Sequence, residues 1–167
     1  MLENENEIKN AQGLIIYEIS KRKFCTDIAK INNILKMKYV ELPETYNKSL
    51  VSKIIVDDYL YHLINISKLL ILNQESLSEK TRLLLYDADG LKFYFLVDQI
   101  HHIVIHDTYY KDTEEILEPQ LKSKYIKGTI NFENSEVIIL DLEKIGNEFI
   151  PKKPSSNSFH NQNSFPK

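Results

Sequence analysis

One cysteine, four glycines, five prolines and no tryptophan in 167 residues leave little room for several common kinds of site. The lone Cys25 cannot form an internal disulfide framework, and with no second thiol there is no cysteine-based zinc site. The glycines stand far apart at positions 13, 90, 128 and 146, so neither a P-loop nor a dinucleotide-binding turn can be written. No stretch approaches the length of a membrane span, and residues 1–12 are polar and acidic with no apolar centre for a signal peptide. The 21 basic residues are scattered among 24 acidic ones for a net charge of -3, which argues against a phosphate backbone as partner. These absences predict a cytoplasmic chain with no cofactor, no nucleic-acid partner and no direct membrane insertion.

What is present is a succession of short β-branched and aromatic runs separated by turns. Leu14–Ile19 and Lys23–Asp27 flank a turn at Ser20–Arg22, and Arg82–Tyr86 and Leu91–Val97 flank Asp87-Ala-Asp-Gly90, both reading as hairpins. Lys48–Leu70 can be laid over Lys124–Gly146 at one constant offset without a gap. Asn65 then falls on Asp141, Lys68 on Lys144, Asp57 on Glu133, Asp58 on Asn134 and Ile54 on Ile130. The chain therefore reads as a duplicated unit of hairpin, strand, spacer and hairpin. Five short strands per unit would leave open edges unless each set curls, so the expected fold is all-β, with two small five-stranded antiparallel β-barrels packed together.

The expected division is a polar extension over residues 1–12, a first barrel over about 14–70, a linker over about 71–80 and a second barrel over about 81–146, the whole domain spanning 13–150. The linker is polar with helix-capping residues and continues a short helix from Ser67. Helix is expected to be scarce elsewhere, with one turn possible in Asp27–Lys36 and a loop at Asp112–Leu121. The tail, 151–167, has too little apolar content to fold in spite of Phe159 and Phe165.

The candidates for chemistry are few. His101, His102 and His106 suggest a metal only if the segment is helical, because in a strand residues four apart are separated by about 13 Å. The apolar Ile100–Ile105 run favours strand. Asp57-Asp58, Asp87 with Asp89, and Glu114-Glu115 sit where turns and loops are expected, and turns select such residues for backbone reasons. Cys25 lies in an apolar strand and reads as a buried structural thiol. Of the ten tyrosines, Tyr39, Tyr46, Tyr59, Tyr61, Tyr109, Tyr110 and Tyr125 fall where strands meet loops, a setting that suits interfaces.

The second half resembles the CheW family through Thr81–Tyr86, Phe95–Ile100, Glu118-Pro119, Tyr125-Ile-Lys-Gly-Thr-Ile-Asn-Phe132 and Val137–Leu142. The first half is similar more loosely, through Ile16–Ile19, Phe24–Ile34, Pro43 and Val51–Leu70, so that the likeness covers about residues 14–146. The resemblance implies a non-enzymatic adaptor of chemotaxis signal transduction. Its partners would be the regulatory domain of a CheA-type histidine kinase and the cytoplasmic tip of chemoreceptors, whose arrays would hold it near the membrane.

The family's usual Asn-Leu-Arg-Gly turn maps onto Ile55-Val-Asp-Asp58, and its downstream Pro and Asp map onto His62 and Asn65. Asp57 thus reverses a charge, and Asp58 must take a conformation usually given to glycine. The expected partner-binding residues are Ile55, Val56, Asp57, Asp58, Tyr59 and Tyr61. Two other readings remain open: a divergent CheW-like module that serves another signalling or motility output without binding the kinase, and a small metal-binding β protein using His101, His102 and His106.

Overall fold

The computed structural model describes residues 12–106 and 124–151, apart from the side chains of Gln12 and His106. The expectations for residues 1–11, Tyr109, Tyr110, the Asp112–Leu121 loop with Glu118-Pro119, and the tail beyond Pro151 lie outside the described residues.

Ten strands among the described residues carry the fold: β1 (Gln12–Ile19), β2 (Arg22–Asp27), β3 (Ile31–Lys36), β4 (Val51–Val56), β5 (Tyr59–Ile64), β6 (Arg82–Ala88), β7 (Leu91–Val97), β8 (Gln99–His106), β9 (Ile126–Phe132) and β10 (Ser135–Leu140). Single 3-10 turns at Ile28–Lys30 and Met37–Tyr39 flank β3, and two helices among the described residues, α1 (Ile66–Leu69) and α2 (Leu142–Phe149), each follow a hairpin. Four hairpins close through two-residue turns in which both residues have positive φ: Ser20-Lys21 (55° and 68°), Asp57-Asp58 (51° and 70°), Asp89-Gly90 (59° and 77°) and Glu133-Asn134 (52° and 63°). Such turns match the right-handed twist of the strands they join, and short polar residues tolerate the left-handed backbone best. Asp58 does adopt the glycine-like conformation that its place in the turn demands.

The strands form two five-stranded sheets, ordered β8-β1-β2-β10-β9 and β3-β6-β7-β5-β4. The fold is all-β in two five-stranded units, as expected, but the units are sheets rather than antiparallel barrels, and each contains one parallel pair, β10 with β2 and β5 with β7. The division into consecutive barrels at 14–70 and 81–146 needs correction. The β1–β2 hairpin lies among β8, β9 and β10, and the β6–β7 hairpin lies among β3, β4 and β5, so each sheet takes its hairpin from one repeat and its other three strands from the other. The cause is local. The Ile28–Lys30 turn, capped by the Asp27 carboxylate on the Ala29 N–H at 2.9 Å, sends β3 away from β2 and onto β6. At the matching place Asp98 turns the chain so that β8 runs back along β1, with the Asp98 N–H on the Glu18 carbonyl and the Ser20 N–H on the Asp98 carboxylate at 2.7 Å.

Among the described residues the end strands do not pair with each other, so neither sheet is closed into a barrel by hydrogen bonds. The seam between β8 and β9 is instead spanned by His102, whose ring centroid lies 5.2 Å from that of Phe132.

Three apolar clusters result. Ile54, Val56, Leu63, Leu83, Leu85, Tyr94 and Leu96 fill one sheet's own interior, and Leu14, Ile16, Cys25, Ile130 and Val137 fill the other's. The largest lies between the sheets and joins residues of both, including Tyr17, Phe24, Tyr86, Phe93 and Phe95 with Leu142 and Ile145 of α2. Among these the Tyr17 hydroxyl has Thr26 Oγ1 at 2.7 Å, so the buried phenol is satisfied. Burial pushes the Cys25 thiol up to about 12, which keeps it un-ionised and fits a structural thiol.

Helix α1 ends after one turn, at Leu69, and residues 71–80 are not helical, so the expectation that the linker continues a helix from Ser67 needs correction. The Leu72 N–H reaches the Ser67 carbonyl at 2.8 Å and the Ile71 N–H the Lys68 carbonyl at 3.1 Å, leaving Ile71 at φ 58° and 88% exposed. A β-branched residue is costly there, where glycine is the usual occupant. Ile71→Gly is therefore expected to raise the free energy of unfolding by about 1 kcal/mol, read by denaturant titration. An unchanged or lower value would mean that the side chain has a compensating contact.

Candidate partner-docking surface

The β4–β5 hairpin forms one edge of its sheet, and its register pairs Ile55 with Leu60, Lys53 with His62, Ile54 with Tyr61 and Val56 with Tyr59. Alternation then fixes the two faces. Ile54 and Val56 point into the sheet interior, and Tyr61 packs edge-on to Tyr94 with ring centroids 5.0 Å apart. Ile55 and Leu60 point outward at 64% and 61% exposure, and Tyr59 at the tip is 69% exposed. The strip so formed runs from the acidic Asp57-Asp58 turn through two exposed aliphatic side chains to Lys53 and His62. Partial burial, with Lys53 beside it, holds the His62 imidazole below its ordinary range.

Of the expected partner-binding residues, Ile55, Asp57, Asp58 and Tyr59 are gathered on this exposed tip. Val56 is not available, since it is buried in the core, and Tyr61 is half-buried against Tyr94. Leu60 and Lys53 belong to the strip and were not among the expected residues. Counting outward from the Asp57-Asp58 turn pairs position 55 with 60 and 53 with 62, and this was the signal that could have found them.

The duplication supplies an internal control. The positions matching Ile55 and Leu60 in the second repeat are Asn131 and Glu136, also cross-strand partners and also exposed. The same hairpin is thus built with polar residues there, so the aliphatic pair is not required by the fold. An exposed apolar pair that the fold does not need has the composition of a docking surface.

Beside the strip, β5 pairs with β7 only through His62–Ile64 and Phe93–Phe95, and the unpaired start of β5 opens a groove of about 510 Å³. Tyr59, Leu60, His62, Lys92 and Ile150 line it. A second cleft, of about 640 Å³, lies between the residues after the 3-10 turn Met37–Tyr39 and the linker, lined by Leu42, Pro43, Tyr46, Gln74 and Leu77. Its floor is held by Asn65, whose amide donates to the Tyr46 carbonyl at 3.0 Å while its oxygen accepts from the Lys68 N–H at 3.1 Å and the Ser67 hydroxyl at 3.0 Å. Asn65 therefore caps α1 and braces the preceding loop, a structural task.

The remaining tyrosines divide. Tyr39 is 69% exposed, whereas Tyr46 and Tyr125 are buried. His101 and His102 lie in strand β8, as the apolar run predicts. His101 Nε2 is 2.8 Å from Glu18 Oε1 and His102 Nε2 is 3.8 Å from Glu133 Oε1, so each is occupied with a different carboxylate. Among the described residues no three His, Cys, Asp or Glu side chains come together as a metal site, and no helix is long and apolar enough to cross a membrane.

Fold and surface together define a duplicated, double-sheet β module with an exposed aliphatic strip on one hairpin. The family model described as a CheW-like domain matches residues 13–149, and the chain belongs to that family. The fold is similar to that in the crystal structure of the scaffolding protein TtCheW from Thermoanaerobacter tengcongensis, with a TM-score of 0.65 and 16% identity over 78% of this chain and 88% of that one. No curated protein matches the chain.

Proposed function

We propose that the chain is a non-enzymatic adaptor of chemotaxis signal transduction, coupling chemoreceptors to a CheA-type histidine kinase, with the β4–β5 strip as its face for the kinase's regulatory domain. Membership of the CheW-like family supports the adaptor role. The observation that carries the placement is the exposed Ile55–Leu60 pair, where the equivalent hairpin has Asn131 and Glu136. Binding alone suffices as mechanism: a molecule that touches both receptor and kinase transmits whatever the receptor state changes in its binding free energy. The site of action would be the cytoplasm, at receptor arrays reached through its partners.

The same comparison supplies the test. Ile55→Asn with Leu60→Glu gives the first hairpin the residues that the second already carries, so the fold should be retained. Losing two apolar anchors is expected to weaken binding to the kinase regulatory domain at least a hundredfold, measured by calorimetry. Unchanged affinity would place the kinase elsewhere on the molecule.

The acidic Asp57-Asp58 turn favours a second reading, a CheW-like module with an output other than this kinase, because a charge reversed at the rim changes partner choice while leaving the fold intact. Under that reading the wild-type chain binds receptors and gives no signal with the kinase domain, and Asp57→Arg restores one.

A further inference from the structure

The outward strip of the β4–β5 hairpin is complementary to itself. Along it stand the acidic pair Asp57-Asp58, then Ile55 opposite Leu60, then Lys53 opposite His62. Lys53 and Asp57 are four strand residues apart, about 13 Å, with Ile55 midway. A second copy can be laid on this face about a twofold axis that lies in the contact plane and crosses the strands. That rotation reverses the strand direction, so Asp57 of one copy stands over Lys53 of the other and Asp58 over His62, while Ile55 and Leu60 each meet their own counterparts. The alternative axis, along the strands, would bring four carboxylates of the two tips together and is disfavoured by their repulsion.

We propose that the chain pairs with a second copy of itself through this strip, forming an isologous dimer whose centre is Ile55 and Leu60 and whose two rims are Asp57-Asp58 of one copy against Lys53 and His62 of the other. Aligned packing of two twisted sheets allows such a contact. The patch is small, so the dimer is weak and forms at high local concentration. It covers the strip that the kinase reading uses, so self-association would compete with docking, but the pairing itself stands whether or not the kinase binds there.

Sedimentation equilibrium of the full chain from about 10 μM to about 1 mM, the range in which a contact of this size associates, reads it directly. The mean mass is expected to climb from 19.6 kDa toward twice that value. Ile55→Asn with Leu60→Glu, a pair this fold already accommodates in its second repeat, should stay monomeric throughout. Asp57→Lys alone and Lys53→Asp alone should each weaken pairing about tenfold, and the double variant should return to within about twofold of wild type, since exchanging both charges preserves the complementarity. A wild-type chain that remains monomeric overturns the proposal, as does a dimer indifferent to the Ile55 and Leu60 changes. A double variant no better than the single ones, or a dimer lost simply by removing residues 152–167, would overturn it too, the last by assigning the contact to that segment.

Discussion

Cut between Glu75 and Ser76, the chain is expected to yield two fragments that are each unfolded alone and that recover the native β-sheet spectrum when mixed in equal amounts. The reason is the exchange of hairpins between the repeats. The first fragment holds β1 and β2, whose neighbours β8 and β10 are in the second, together with β3, β4 and β5, which need β6 and β7 between them. A lone hairpin is marginally stable at best in water, and the core between the sheets takes Tyr17 and Phe24 from one fragment and Phe93, Phe95 and Ile145 from the other. Circular dichroism of each fragment and of the mixture measures it. A cooperative thermal transition in either fragment alone would show that one sheet can form without the exchanged hairpin, contrary to the topology.

Replacing Gly146 by leucine should lower the free energy of unfolding by about 3 kcal/mol, the upper end for overpacking a close contact. Gly146 lies on the buried face of α2, and a Cβ there would stand 2.8 Å from Leu91 Cδ1 and 3.0 Å from Phe93 Cε1 of β7. The matching position of the first repeat is Leu70, so the two repeats have diverged here. Removing bulk from the facing side with Leu91→Ala should recover part of the loss in the double variant, giving a coupling that independent sites would not show. A loss under 1 kcal/mol for Gly146→Leu would mean that α2 can lift from the sheet without penalty.

Much of this architecture is legible in the residues. The ungapped match of the two hairpin segments predicts, residue for residue, where β4 and β5 correspond to β9 and β10; the aligned Asn65 and Asp141 prove to cap equivalent helices, each accepting from a backbone N–H three positions on, at Lys68 and Lys144. Turn chemistry likewise marks the tips at Asp57-Asp58 and Asp89-Gly90.

Strand order is not legible in the same way. Alternation tells which face a side chain takes but not which strand lies alongside, so the natural reading of two consecutive barrels misses that β3 and β8 each cross to the other repeat's hairpin. Helix α2 also goes beyond the expectation of scarce helix. Asp141 caps it and Leu142, Ile145 and Phe149 give it an apolar side, a spacing that the reading of this segment as strand and turn passed over, and it runs for eight residues where α1 runs for four. At the candidate surface the turn and Tyr59 could be read from composition, whereas Leu60 required the register and Val56 was lost to the core because its neighbour Ile55 takes the outward position.

The most direct test of the coupling role is the affinity of the intact chain for the regulatory domain of the CheA-type kinase from the same organism, by calorimetry at low and high salt, alongside the Ile55→Asn, Leu60→Glu variant. The account predicts binding in the micromolar range or tighter, dependent on salt through the acidic turn and lost in the variant. A folded wild-type chain that shows no binding at either salt concentration would contradict it.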